Sequence, residues 1–247
     1  TWNLDHTAEL TGDAASELAD LLKYAGRYTD FTVSLAQLAL DITEQVKGPD
    51  HPSTAERLNN LAMLLYDKGD LEAAEPLLRR ALEINEKALG PKHPETGTHL
   101  NNLAMILFDK GDLEAAEPMV RHALEIAEKA LGPKHPETGT SINNLASLLA
   151  NKGDYKAAEH LFRRSLENKE KALGPDHPDT ATSLWNLAAI LDAQDKPQDA
   201  QPLYERVLAY REKALGEEHP EVAVAAMKLA ATHMAAKDYA KAIVMYD

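Results

Sequence analysis

The stretch Leu58–Thr98, LNNLAMLLYDKGDLEAAEPLLRRALEINEKALGPKHPETGT, decides the fold. It returns at Leu100–Thr140 with six differences: Leu64/Ile106, Tyr66/Phe108, Leu77/Met119, Leu78/Val120, Arg80/His122 and Asn85/Ala127. Gly48, Gly90, Gly132, Gly174 and Gly216 recur at intervals of 42 residues. A fixed internal period of about 20–50 residues marks a stacked array. Each unit of such an array buries its apolar face against its neighbours and not in one central core.

Within the quoted unit, Leu58, Leu61, Ala62 and Leu65 stand at i, i+3, i+4 and i+7, the apolar stripe of an amphipathic helix. His51-Pro52-Ser53-Thr54 opens that helix, with proline suited to its first turn. Lys68-Gly69-Asp70 closes it: glycine accepts the left-handed conformation, and Asp70 can cap the helix that follows. The second helix turns Leu71, Ala74, Leu78, Ala81, Leu82 and Leu89 inward. Pro76 in its second turn removes one backbone hydrogen bond. Gly90-Pro91 ends it.

The expected organisation is a lead-in over 1–11 and an all-α solenoid over 12–247. Its repeats span about 12–48, 49–90, 91–132, 133–174, 175–216 and a truncated 217–247, with about twelve helices. The first repeat is irregular, with helices expected from about Asp13 to Ala25 and from Tyr28 to Val46. Charged Asp20 and Lys23 stand where Met63 and Tyr66 stand later. In the fifth repeat Ala193-Gln194-Asp195-Lys196 lacks the glycine, so a differently built turn is expected there. The chain starts without Met and stops at Tyr246-Asp247 inside an apparent helix, as an excised piece of a larger protein would.

The balance of 26 basic and 40 acidic residues, −14 overall, argues against nucleic acid or an anionic membrane as partner. It suits basic or polar partners, or serves solubility. With no Cys, disulfides, thiolate metal sites and cysteine nucleophiles are excluded. No apolar run approaches the ~20 residues of a membrane span, and no basic-then-apolar leader opens the chain. A cytoplasmic location is expected.

When the first helix is numbered so that Leu58 is position 4, Leu61, Ala62 and Leu65 fall at 7, 8 and 11. Ala74, Leu78 and Ala81 fall at 20, 24 and 27. These are the tetratricopeptide signature positions. Leu58–Ala62, Leu100–Ala104, Ile142–Ala146 and Leu184–Ala188, with the LGPxHPxT loop, resemble the kinesin light chain type of tetratricopeptide repeat, as found in bacterial multidomain proteins. The resemblance implies a right-handed superhelix of about six helix-turn-helix repeats whose first helices line a concave groove.

On those helices the stripe opposite the core is positions 2, 5, 6, 9, 12 and 13. It carries Asn59, Asn60, Met63 and Tyr66, then Asn101, Asn102, Met105 and Phe108, then Asn143, Asn144 and Ser147, and finally Trp185 and Asn186. Asparagine offers a donor and an acceptor to an extended peptide, while methionine and aromatic groups make adaptable apolar pockets. The same asparagines could instead hydrogen-bond between helices, and Trp185 could pack against the next layer. Asp67, Asp109 and Asn151 end the stripe. Kinesin light chain arrays bind peptides that combine Trp with acidic residues, partly through groove arginines. Here Tyr66 and Phe108 replace such an Arg, and the corresponding second-helix site holds Asn85 and Ala127, with Lys169 and Arg211 only later. An apolar or basic segment is the better match for the first half.

His51, His93, His135, His177 and His219 recur once per unit, on the order of 10 Å apart. Zinc needs ligands about 2 Å away, so loop packing is the expected role. No metal, cofactor, nucleophile elbow or phosphate-binding loop is expected. The sequence thus reads as a non-catalytic protein-binding scaffold. The alternative is a sensor or self-association arm of a larger regulated enzyme such as a bacterial NTPase. Met227, Ala231 and Met234 in the last unit offer a face for self-association through terminal repeats.

Overall fold

The computed structural model describes residues 12–18 and 30–244, and among these every regular element is helical. Residues 12–18 are helical; the rest of the expected first helix, with Asp20 and Lys23, lies outside the described residues, as does Tyr246-Asp247. Eleven further helices follow. In order they are α1 (Asp30–Lys47), α2 (Pro52–Asp67), α3 (Leu71–Ala88), α4 (Pro94–Asp109), α5 (Leu113–Ala130), α6 (Pro136–Asn151), α7 (Tyr155–Leu173), α8 (Pro178–Ala193), α9 (Pro197–Leu215), α10 (Pro220–Ala235) and α11 (Tyr239–Val244). They form an α-solenoid of helix-turn-helix repeats in two compact units, residues 1–126 and 127–247.

Each first helix begins the same way, and the repeated histidine explains why. The Nδ1 atoms of His51, His93, His135, His177 and His219 accept a hydrogen bond from the amide two residues on, at 3.1–3.3 Å. The side chain therefore caps the helix, satisfying one of its orphan donors, a more definite task than loop packing. The loop before it is pinned by a buried threonine. Thr54, Thr96, Thr138 and Thr180 each donate through Oγ1 to the carbonyl of Gly48, Gly90, Gly132 and Gly174, at 2.7–2.9 Å. Val222 takes that place in the last repeat.

The turn between paired helices is uniform. Gly69, Gly111 and Gly153 adopt φ near +85°, and Asp70, Asp112 and Asp154 cap α3, α5 and α7 at 3.1 Å. The expectation of a different turn in the fifth repeat is corrected. Asp195 takes φ 58°, and Asp195 N and Lys196 N bond back to Asp192 O and Leu191 O as Gly69 N and Asp70 N do to Tyr66 O and Leu65 O. Aspartate tolerates the left-handed region because its short polar side chain bonds locally. What is lost is the cap, since Lys196 makes no side-chain cap bond.

The core follows the Leu/Ala stripe. In the first unit Leu58, Leu61, Leu64, Ala81 and Ile84 close around Ala55; in the second, Phe162, Leu187, Leu191, Tyr204 and Val207 pack together. Leu82 and Leu89 are only half-buried, whereas Ile84 and Asn85 are buried. Second helices are joined by ion pairs from Arg80 to Glu44 at 2.6 Å, Arg206 to Glu170 at 2.5 Å, and Arg164 to Glu128.

Candidate functional site

Three hydrogen bonds between successive first helices follow an offset of 43 residues, one more than the period. In the first unit Asn102 Nδ2 donates to Asn59 Oδ1 at 2.7 Å, and Asn59 Nδ2 donates to Asn60 Oδ1 at 3.4 Å. At the other end of the same two helices, the Tyr66 hydroxyl donates to Asp109 Oδ2 at 2.6 Å. Met63, Met105 and Phe108 are half-buried between these polar ends, and Asp67 and Asp109 are exposed. Burial and the Asp109 carboxylate push the Tyr66 phenol above its ordinary range, so it stays a neutral donor.

In the second unit Asn186 Nδ2 donates to Asn143 Oδ1 at 3.2 Å. Asn144 and Ser147 are half-buried beside it. Asn101 and Asn143, the first asparagines of α4 and α6, are buried, at 9% and 8% exposure. Asn60, Asn102, Asn144 and Asn186 are the more accessible row. Trp185 is half-buried: the Tyr204 ring meets it edge-on at 5.3 Å and 73°, and the Arg211 guanidinium lies 4.7 Å from its ring centre. Its pyrrole-and-benzene face is thus already occupied by a cation.

The second-helix site that the resemblance compares with groove arginines lies mostly inside. Asn85 is fully buried, bonding Glu95 and His99, both at 3.3 Å. Lys169 is buried too, 3.7 Å from Asp179, and burial depresses its ammonium. Arg211 reaches Glu221 O at 3.0 Å and its carboxylate at 3.5 Å. In each case the partner is the first-turn acid ten residues on, which anchors the next first helix.

The sequence reading missed this Asn85–Glu95–His99 cluster, Asp109 as acceptor for Tyr66, and Arg211 as a lid on Trp185. The i/i+10 spacing is the signal that would have found the Asn85–Glu95 bond, and the i/i+43 spacing the Tyr66–Asp109 one. Among the described residues no group of three His, Asp or Glu side chains converges as a metal site, and no helix is long and apolar enough to cross a membrane. The first-unit face offers amides, thioethers, aromatic rings and two exposed carboxylates.

A tetratricopeptide repeat family model matches residues 10–87, 57–129, 95–171, 141–213 and 193–247. No curated protein sequence matches the chain. Among solved structures, a Podosopora anserina protein of kinesin light chain type with nearly identical TPR-like repeats is 26% identical, with 81% of this chain and 94% of that one covered and a TM-score of 0.64. BtubC (BKLC) from P. vanneervenii is 22% identical over 96% of this chain and 87% of its own, with a TM-score of 0.68. The STAND protein PH0952 from Pyrococcus horikoshii, which has a tetratricopeptide repeat sensor, is 16% identical over 92% of this chain and 34% of its own, at 0.64. The repeats of such proteins generally serve as protein-interaction scaffolds. Matched along nearly its whole length, the chain belongs to the tetratricopeptide repeat family, in its kinesin light chain-like form.

Proposed function

We propose that this chain is a cytoplasmic, non-catalytic interaction scaffold whose α2–α4 face holds an extended segment of a partner protein, apolar and basic in character. The observation that carries the reading is the composition of that face. Met63, Tyr66, Met105 and Phe108 lie half-buried between the Asn59–Asn102 bond and the exposed carboxylates of Asp67 and Asp109. Thioether and aromatic groups adapt to apolar side chains. The accessible amides of Asn60 and Asn102 can pair with peptide groups. The carboxylates, in a chain of −14, favour a cationic segment.

The test is fluorescence anisotropy with two labelled peptides, one alternating Leu and Arg, the other Leu and Glu. The Leu/Arg peptide binds, and Met105→Ala with Phe108→Ala weakens it by roughly tenfold, about 1.4 kcal/mol. Equal binding of the Leu/Glu peptide, or indifference to the double substitution, would refute the reading.

A further inference from the structure

Between α8 and α10 the second unit holds a pocket of about 150 Å³, room for several waters or for a molecule of a few heavy atoms. Asp192 reaches it from α8, Asp195 and Pro197 from the turn into α9, and Lys228, Ala231 and Thr232 from α10. It therefore lies on the side of α10 that packs against the preceding repeat. Thr232 Oγ1 spans the two helices to Asp192 Oδ2 at 3.4 Å.

The repeat explains why space opens at this place. Three periods of 42 residues earlier, Asp192 and Ala231 are Tyr66 and Met105. There the Tyr66 ring crosses to Asp109 at 2.6 Å, and Met105 is half-buried. Here the ring has become a short carboxylate, the thioether a methyl, and Asp109 is replaced by Ala235. The lining changes character as well. Gly69, Asn102 and Ile106 correspond to Asp195, Lys228 and Thr232. Three uncharged positions become an acid, a base and a hydroxyl around one small pocket.

Those charges are not neutralised by the protein. Among the described residues no cation lies within 4.0 Å of the Asp192 or Asp195 carboxylate, and no carboxylate lies that close to Lys228 Nζ. Lys196, in the same turn as Asp195, is committed to Glu159 at 2.8 Å. The fully buried Tyr204 phenol interacts with Asp192, and burial first and that carboxylate second keep it neutral. It offers Asp192 a dipole and not a counter-charge.

Two carboxylates and a separate ammonium on one pocket select its occupant. A basic side chain would satisfy the acids but meet Lys228, and an acidic one would satisfy Lys228 but meet both acids. Like charges brought together count against each. An apolar group would cover all three and leave them without partners. Complementarity requires a cation and an anion on one small molecule, and the alanine and proline walls suit a short aliphatic body.

We infer that the α8–α10 pocket binds a small free α-amino acid as its zwitterion, with the ammonium on Asp192 and Asp195 and the carboxylate on Lys228. The site uses none of the α2–α4 residues proposed to hold a partner segment, so either reading can fail without the other.

Isothermal titration calorimetry of the 247-residue chain with L-alanine tests this. Saturable binding is expected, with a dissociation constant on the order of 1 mM for so small a ligand. N-acetylalanine lacks the ammonium and alanine methyl ester the carboxylate, and each should bind more than roughly tenfold more weakly. The dipeptide Ala-Ala, whose two charges stand further apart, should do the same. Lys228→Met removes an exposed ammonium that has no partner in the fold, so it should keep the melting temperature and weaken alanine by roughly tenfold. Ala231→Leu should abolish binding by filling the pocket while leaving every charge in place. No saturable heat with alanine overturns the inference. So does equal binding of either blocked analogue or of Ala-Ala, or binding that survives Lys228→Met or Ala231→Leu.

Discussion

Tyr66 and Asp109 join the C-terminal ends of two successive first helices through a 2.6 Å hydrogen bond. The bond fixes both the ring that lines the candidate peptide face and the carboxylate that gives it its charge. Burial and Asp109 both disfavour ionising this phenol. The unfolded chain therefore loses that proton first as pH rises, and the bond's contribution is present below the ordinary phenol value of about 10 and lost above it. Tyr66→Phe should cost about 1 kcal/mol at neutral pH in urea unfolding. It should also flatten the decline in stability at alkaline pH. An unchanged alkaline profile would show that the bond is incidental.

The left-handed turns give a prediction of opposite sign. Asp195 and Lys237 hold φ of 58° and 64° where the earlier repeats place glycine. A Cβ in that region costs roughly 1–2 kcal/mol, less for aspartate than for lysine. Glycine recovers part of this while adding freedom to the unfolded chain. Lys237→Gly should raise stability by about 0.5–1 kcal/mol, and Asp195→Gly by less. Thermal melting of the two variants checks the order as well as the sign.

The fold was legible because its evidence is repeated. One misread turn cannot hide a 42-residue period carried by four nearly complete units. The helix-bearing Leu/Ala stripe emerges from periodicity alone, and the Gly-Asp turn from local chemistry. Side-chain polar contacts between repeats were less legible, because they join residues 10 or 43 positions apart whose identities change from repeat to repeat. Asn85, Ala127, Lys169 and Arg211 share one site, yet Asn85 and Lys169 are buried while Arg211 covers a Trp ring. A helical wheel gives the phase of such a residue but not how deeply the next helix buries it. That is why the asparagine row splits into the buried Asn101 and Asn143 and the more accessible Asn102 and Asn144.

The buried threonines provide an internal control already present in the chain. Thr96 Oγ1 donates to Gly90 O at 2.9 Å, and its residue is fully buried. Thr96→Val keeps the shape, as Val222 shows in the last repeat, but leaves that carbonyl short of one donor. A loss of about 1–2 kcal/mol is expected in chemical unfolding. No loss at all would mean that water or a neighbouring amide satisfies Gly90 equally well.

His99 should make stability depend on pH near neutrality. Its ring is 4% exposed, with Nδ1 3.3 Å from Asn85 Nδ2. Burial lowers its proton affinity, and this outweighs the opposing pull of Glu95 and the Ala81 carbonyl. The folded chain therefore keeps the imidazole neutral at a pH where the unfolded chain has already protonated it. The associated stability is fully present above the ordinary imidazole value of about 6.5 and is lost as pH falls through the lower folded value. Asn85→Ala with His99→Ser removes this imidazole, and Ala127 and Ser141 show that the next repeat accommodates that pair. Urea midpoints measured between about pH 7 and pH 5 should fall less steeply for the double variant than for the parent. Parallel slopes would leave the buried histidine without a part in the acid response.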